Sequence, residues 1–151
     1  MGKQVKIKAL VLALGLASGV AHAEFVSGMS RYQVEQEMLN QLMVGESLDK
    51  IAKEGVAAGV TPEQLTKGLI SSGENPIAVI KAVIGAAPNA VPEIVSAAVA
   101  SAPKQGAAIT AAAISIAPKQ SKSIITAAIT VPGVNPAAIL SATAAGNSTV
   151  R

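Results

Sequence analysis

The chain has 151 residues, half of them hydrophobic, with one histidine, no cysteine and a formal net charge of +3. The lack of cysteine excludes disulfides and thiolate chemistry, and a lone histidine excludes a metal site built from several imidazoles. The small net charge gives no support to a generic basic surface for nucleic acid.

The first 23 residues are typical of a secretory signal. Lys3, Lys6 and Lys8 form a basic start, residues 9–18 form a short apolar core, and Ala21-His22-Ala23 has the small-x-small pattern of a cleavage site. The apolar stretch is shorter than the roughly 20 residues that a membrane span needs. We therefore expect cleavage after Ala23, which removes the one histidine and leaves nine basic and nine acidic residues.

The next segment, residues 24–46, predicts an N-terminal capping or docking helix. Ser30 is a suitable N-cap for a longer amphipathic helix, and the segment holds the one phenylalanine, the one tyrosine and every methionine after Met1. Its simplest role is to cover the first repeat. A second possibility is an adhesive segment, because methionine-rich surfaces adapt to partners.

Residues 47–150 predict a helical repeat domain with a period of fifteen residues counted from Thr61. Aliphatic residues recur at the fourth, fifth and ninth places of each unit, and glycine or proline recurs near its end. Apolar places four and five residues apart follow a helical period, and alanine, the best helix former, fills most other places. Thr61-Pro62, Asn75-Pro76 and Asn135-Pro136 carry the cap-then-proline signal of a helix start.

Loop length predicts how the helices lie. A helix of about eleven residues is about 16 Å long, and four linker residues span at most about 14 Å, so successive helices must run antiparallel. The sequence therefore predicts an all-α fold, an array of short antiparallel helices resembling an α-solenoid, with a compact helical bundle as the alternative.

Residues suited to catalysis or cofactor binding are scarce. No nucleophile has an adjacent histidine base, no phosphate-binding glycine loop follows a strand, and no acidic loop has calcium spacing. The carboxylates of Glu35 with Glu37, and of Asp49 with Glu54, are better explained as solvated helix surface. We predict no enzyme activity, no cofactor, no metal, no nucleic-acid partner and no membrane span in the processed chain.

Charge is distributed unevenly along the chain. Residues 24–93 hold nine acidic and five basic side chains, whereas residues 94–151 hold four basic and no acidic ones. The last repeat is apolar and no polar closing helix follows it, although solenoids usually need polar caps. These features predict head-to-tail self-association, for which the candidate residues are Phe25, Tyr32, Met38, Ile139 and Leu140.

The units NAVPEIVSAAVASAPKQGAAITAAAISIAPKQ carry an A-P-x-Q turn and an I-V-x-A-A-V helix. In these features residues 47–145 resemble the alanine-rich repeats of uncharacterised exported proteins from Gram-negative bacteria. The resemblance implies secretion and a repeat role, and it implies no catalytic or ligand-binding residue.

Two functions are consistent with these features. The first is an exported structural protein that self-associates at the cell surface or in the extracellular matrix, as a filament subunit. The second is a periplasmic helical-repeat module that binds another exported protein.

The signal prediction has a direct test. When the full chain is produced in a Gram-negative host, we expect intact-mass and N-terminal analysis of the exported protein to give a chain beginning at Glu24. Recovery of a chain that still begins at Met1 would contradict both the cleavage site and the expected export.

Overall fold

The structure is a computed structural model that describes residues 24–147, with side-chain surroundings described through residue 144. The predicted signal, residues 1–23, lies outside the described residues. Within them the chain forms eight α-helices and two short 3₁₀ turns, and no strand, so the predicted all-α fold is confirmed. The helices are α1 Arg31–Met43, α2 Leu48–Ala57, α3 Pro62–Ser71, α4 Pro76–Ala86, α5 Val91–Ser101, α6 Gly106–Ile116, α7 Ser121–Ile129 and α8 Pro136–Asn147.

The helix starts follow the predicted capping signals. Ser30 forms a capping box with Gln33: its hydroxyl accepts from the Gln33 backbone N–H at 3.4 Å, and Gln33 Oε1 accepts from the Ser30 N–H at 2.8 Å. Thr61 and Asn75 cap α3 and α4 in the same manner, each followed by a proline at the first helical position. Replacing such a cap by alanine typically costs about 1 kcal/mol.

The helix ends are of two kinds. After α1, α2 and α3, a glycine with positive φ closes the helix with two backbone hydrogen bonds, the pattern of a Schellman motif; these are Gly45, Gly59 and Gly73. After α4, α5 and α6, an extended alanine precedes a proline, and the turns following α5 and α6 are 3₁₀ turns with the sequence Pro-Lys-Gln.

This difference in helix length and ending changes the repeat. The helices from α2 to α8 start at residues 48, 62, 76, 91, 106, 121 and 136, so successive starts are 14 residues apart twice and then 15 apart four times. Thr61 consequently corresponds to Asn75, and the frame counted from Thr61 misplaces its first unit by one residue. Units bounded by glycine turns are the shorter ones because α2 and α3 each have 10 residues, against 11 in α4.

The helices stack in two layers. Each helix packs against the next one along the chain and against the next but one, from α1 on α2 and α3 through to α6 on α7 and α8. The odd-numbered helices therefore form one layer and the even-numbered helices the other. This order of packing is that of an α-solenoid-like array.

The core runs between the two layers at fixed places in each helix. The fourth residue of every helix is buried: Val34, Ile51, Leu65, Val79, Ile94, Ile109, Ile124 and Ile139. The eighth residue is buried as well: Met38, Gly55, Leu69, Val83, Ala98, Ala113, Ala128 and Thr143. Burying one aliphatic side chain of the fourth place contributes about 1.5–3 kcal/mol.

Two glycines let neighbouring helices approach closely. Leu65 of α3 lies where a Cβ on Gly55 of α2 would be, and the end of the Met38 side chain of α1 lies where a Cβ on Gly68 of α3 would be. Small residues at these points bring the backbones together, and larger side chains from the neighbouring helix fill the space.

Two other glycines make a matched test of the turn assignment. Gly59 has φ +87° and Gly85 has ordinary helical backbone, and a Cβ added to either glycine would meet no atom within 4 Å. We expect Gly59→Ala to destabilise the protein by about 1–2 kcal/mol, because alanine is strained at positive φ. Gly85→Ala should stabilise it by about 0.5–1 kcal/mol, because it removes a glycine from a helix interior. Urea unfolding followed by circular dichroism measures both, and changes of the same sign would contradict the assignment.

Candidate self-association surfaces at the two ends of the array

The fifth residue of each helix distinguishes the interior of the array from its C-terminal end. It is fully buried in five consecutive helices, at Ala52, Thr66, Ile80, Val95 and Thr110. It is half-buried in α7, at Ile125, and 49% exposed in α8, at Leu140. The fifth place therefore faces the helices that follow, and in the last two helices nothing in the described chain covers it.

The buried fifth-place threonines show how tightly this side is closed in the interior. The Thr66 hydroxyl donates to the Pro62 carbonyl at 2.7 Å, and the Thr110 hydroxyl donates to the Gly106 carbonyl at 2.7 Å. Each polar group is thus satisfied within its own helix. We name the corresponding open surface at the end of the array, formed by Ile125, Leu140 and Ala144, the C-terminal face.

The opposite end of the array presents an apolar stripe on α1. Tyr32, Leu39 and Met43 are 69%, 40% and 78% exposed. At 100° per residue these three side chains fall within about 40° of one another on the helix, and the buried side of α1, centred between Val34 and Met38, lies about 180° away. We name Tyr32, Leu39 and Met43 the N-terminal stripe.

The five candidate self-association residues are divided between core and surface. Phe25, Met38 and Ile139 are buried in the described chain, where they pack in the core. Tyr32 and Leu140 are exposed, one on the N-terminal stripe and one on the C-terminal face. Sequence periodicity did not single out Leu39, Met43 or Ile125, although all three lie on the same two surfaces.

A buried polar cluster joins α1 to α2. Gln41 Nε2 donates to Glu37 Oε1 at 3.0 Å and to Glu54 Oε2 at 3.2 Å. The expectation that Glu37 lies on solvated helix surface is wrong: its side faces the neighbouring helices, and its carboxylate is buried. Glu35, in contrast, is only partly buried and forms an ion pair with Arg31 at 3.0 Å.

The charge asymmetry of the sequence runs along the array. The ion pairs found in the described residues lie in α1 to α3 and their connections: Arg31–Glu35, Lys50–Glu46, Lys50–Glu54 and Lys67–Glu63. The hydrogen bond to Glu46, 2.7 Å long, raises the pKa of Lys50 above its ordinary value of 10.5. Lys50 therefore stays charged at neutral pH, and its favourable pairing is lost only as pH rises through the raised pKa.

The second half of the array is basic. Lys104 and Lys119 lie in the two 3₁₀ turns, Lys122 lies in the first turn of α7, and all three are exposed. No acidic residue follows Glu93 in the sequence. The end that carries the N-terminal stripe is thus acidic, and the end that carries the C-terminal face is basic.

Shallow grooves follow the odd-numbered layer. One of about 400 Å³ lies between α1 and α3, and one of about 360 Å³ crosses α3, α5 and α7. A third, of about 530 Å³, lies between α5 and α7 beside Lys119 and Lys122. The linings combine small and polar side chains with charged ones of both signs.

The described residues hold no group of three or more histidine, cysteine or acidic side chains placed to bind a metal ion. Within residues 24–147, no helix has both the length and the apolar character needed to cross a membrane. No protein-family model, curated protein or solved structure matches this chain, so what the array can do is argued from its own residues.

The open C-terminal face can be tested by comparing one helical place at two points in the array. Under dilute conditions we expect Ile80→Ala to destabilise the protein by about 2–5 kcal/mol, because it opens a cavity in the core. Leu140→Ala, at the same place in α8, should cost less than about 1 kcal/mol, because the side chain is already half solvated. Equal losses in denaturant unfolding would show that Leu140 is covered in the monomer.

Proposed function

We propose that the protein is an exported, non-enzymatic structural protein that self-associates at the cell surface or in the extracellular matrix, as the subunit of a filament. The observation that carries this proposal is the change at the fifth place, from fully buried in five helices to half-exposed at Leu140. An array whose interior places become solvent-exposed at one end has a surface suited to continuing the stack.

The two end surfaces differ, and this favours an open chain of subunits. The N-terminal stripe carries large side chains, while the exposed side of α8 carries Leu140 among alanines. Contact between two different surfaces is heterologous, and such contacts produce filaments when the rotation between subunits does not close a ring.

Charge supports the same orientation. An acidic end meets a basic end in a head-to-tail contact, whereas contact between identical ends places like charges together, which is costly. Electrostatic attraction of this kind speeds association and weakens as salt shortens the screening length, which is about 10 Å at 0.1 M.

A non-enzymatic role is supported by the chemistry of the grooves. Their walls are built of alanine, serine, threonine and lysine–glutamate pairs such as Lys67–Glu63 at 2.6 Å. The processed chain expected after cleavage has no histidine or cysteine to act as a nucleophile or base. Export is supported by the basic start, apolar core and small-residue cleavage pattern of residues 1–23.

The proposal predicts a specific loss of assembly. We expect the purified protein to form ordered fibres in negative-stain micrographs as concentration rises, and to form them more slowly as sodium chloride is increased. Leu140→Glu should abolish the fibres, because it places a carboxylate in the centre of the C-terminal face.

The matched control is Ile77→Glu, which introduces the same charge at a 38% exposed isoleucine in the middle of the array. It should leave the fibres intact. Monodisperse small particles of the unmodified protein at every concentration and salt would contradict autonomous self-assembly.

The grooves of the odd-numbered layer favour a second candidate function, a periplasmic module that binds another exported protein. Solenoids commonly use one extended surface for such binding. This candidate predicts a monomer that stays monomeric until its partner is present. Substitutions in the grooves, such as Ser96→Arg, would then impair binding, whereas Leu140→Glu would not.

A further inference from the structure

The ends of the array lack opposite neighbours. Each inner helix packs against helices before it and after it, but α1 has none before it and α8 has none after it among the described residues. The N-terminal stripe is the side of α1 turned away from α2 and α3, and the C-terminal face is the side turned toward missing followers. The two surfaces are therefore the two halves of one interior contact.

We infer that α1 of one copy lies on α7 and α8 of the next copy, in the place that a ninth helix would occupy. This inference rests on the proposed self-association and names its partner surfaces: the N-terminal stripe on the C-terminal face. A ninth helix would belong to the odd-numbered layer and would pack on α7, two helices back, and on α8, one helix back, as every inner odd-numbered helix does.

The sizes of the side chains on the two surfaces are complementary. Exposed residues of α8 are small apart from Leu140, and include Ala137, Ser141 and Ala144. The stripe supplies Tyr32, Leu39 and Met43. Within the chain, α1 already packs in this manner, since the end of Met38 occupies the space that Gly68 leaves open on α3. Methionine is unbranched and flexible, which suits it to fill such a surface.

Charge selects this pairing over its alternatives. Residues 24–93 have four more acidic than basic side chains, and residues 94–151 have four more basic than acidic ones. Stripe-to-stripe contact would bring two acidic ends together, and face-to-face contact would bring two basic ends together. Stripe-to-face contact brings opposite charges together, and it also covers Leu140.

Because the chain has no cysteine, disulfide trapping can test the pairing without background. Single cysteines are placed on the stripe by Tyr32→Cys, Leu39→Cys or Met43→Cys, and on the face by Leu140→Cys. Each stripe variant is mixed with the face variant under assembly conditions and oxidised. Ile77→Cys, exposed in the middle of the array, is the control partner.

We expect at least one stripe variant to form a disulfide heterodimer with Leu140→Cys at a yield at least tenfold above that with Ile77→Cys. A chain carrying that stripe cysteine together with Leu140→Cys should give a ladder of linked multimers in non-reducing gels. Each single variant alone should stay at the level of the control.

The opposing outcomes are distinct. Efficient homodimers of Leu140→Cys alone, or of a stripe variant alone, would overturn the inference in favour of contact between identical ends. Sedimenting assemblies of the same variants that give no stripe-to-face disulfide would also overturn it, and would leave the proposed self-association standing. Absence of any assembly, for the unmodified protein as well, would refute both.

Discussion

The array depends on the close approach of helices two apart in the chain, which small residues at the eighth place permit. In α5, α6 and α7 that place is alanine, in α2 it is Gly55, and in every helix it is buried. Because small side chains leave little bulk between the layers, the isoleucine or valine at the fourth place can contact the neighbouring helices directly and fill the core. Alanine thus serves both helix formation and packing distance.

The same regularity produces an end effect. In a stacked array each helix relies on its neighbours to cover its apolar side, so the first and last helices keep an uncovered side unless a cap closes it. α1 is a partial solution: it covers α2 and α3 with Met38 and with the Glu37–Gln41–Glu54 cluster, yet it presents Tyr32 and Met43 to solvent. α8 covers α6 and α7 while leaving Leu140 half-exposed. The proposed assembly is the continuation of the packing between neighbouring copies.

Turn chemistry shows where prediction from sequence succeeded and where it failed. Ser30, Thr61 and Asn75 are caps because a short polar side chain before a proline or a helix-forming run has few other low-energy uses. The uniform period of fifteen was less accurate, since a glycine turn closes a 10-residue helix and an alanine-proline turn closes an 11-residue one. The eighth place was missed because alanine, glycine and threonine carry no hydrophobic signal of their own, although their smallness is what the packing requires.

The sequence by itself determined the helices, their caps, their antiparallel succession and the opposite charges of the two halves, because these follow from local spacing and composition. Only the tertiary structure decided which candidate residues are surface and which are core. Phe25, Met38 and Ile139 are apolar in the same way as Tyr32 and Leu140, and their difference in burial depends on which side of each helix has a neighbour. A helical period defines an apolar side, but whether another helix covers that side depends on the position of the helix in the stack.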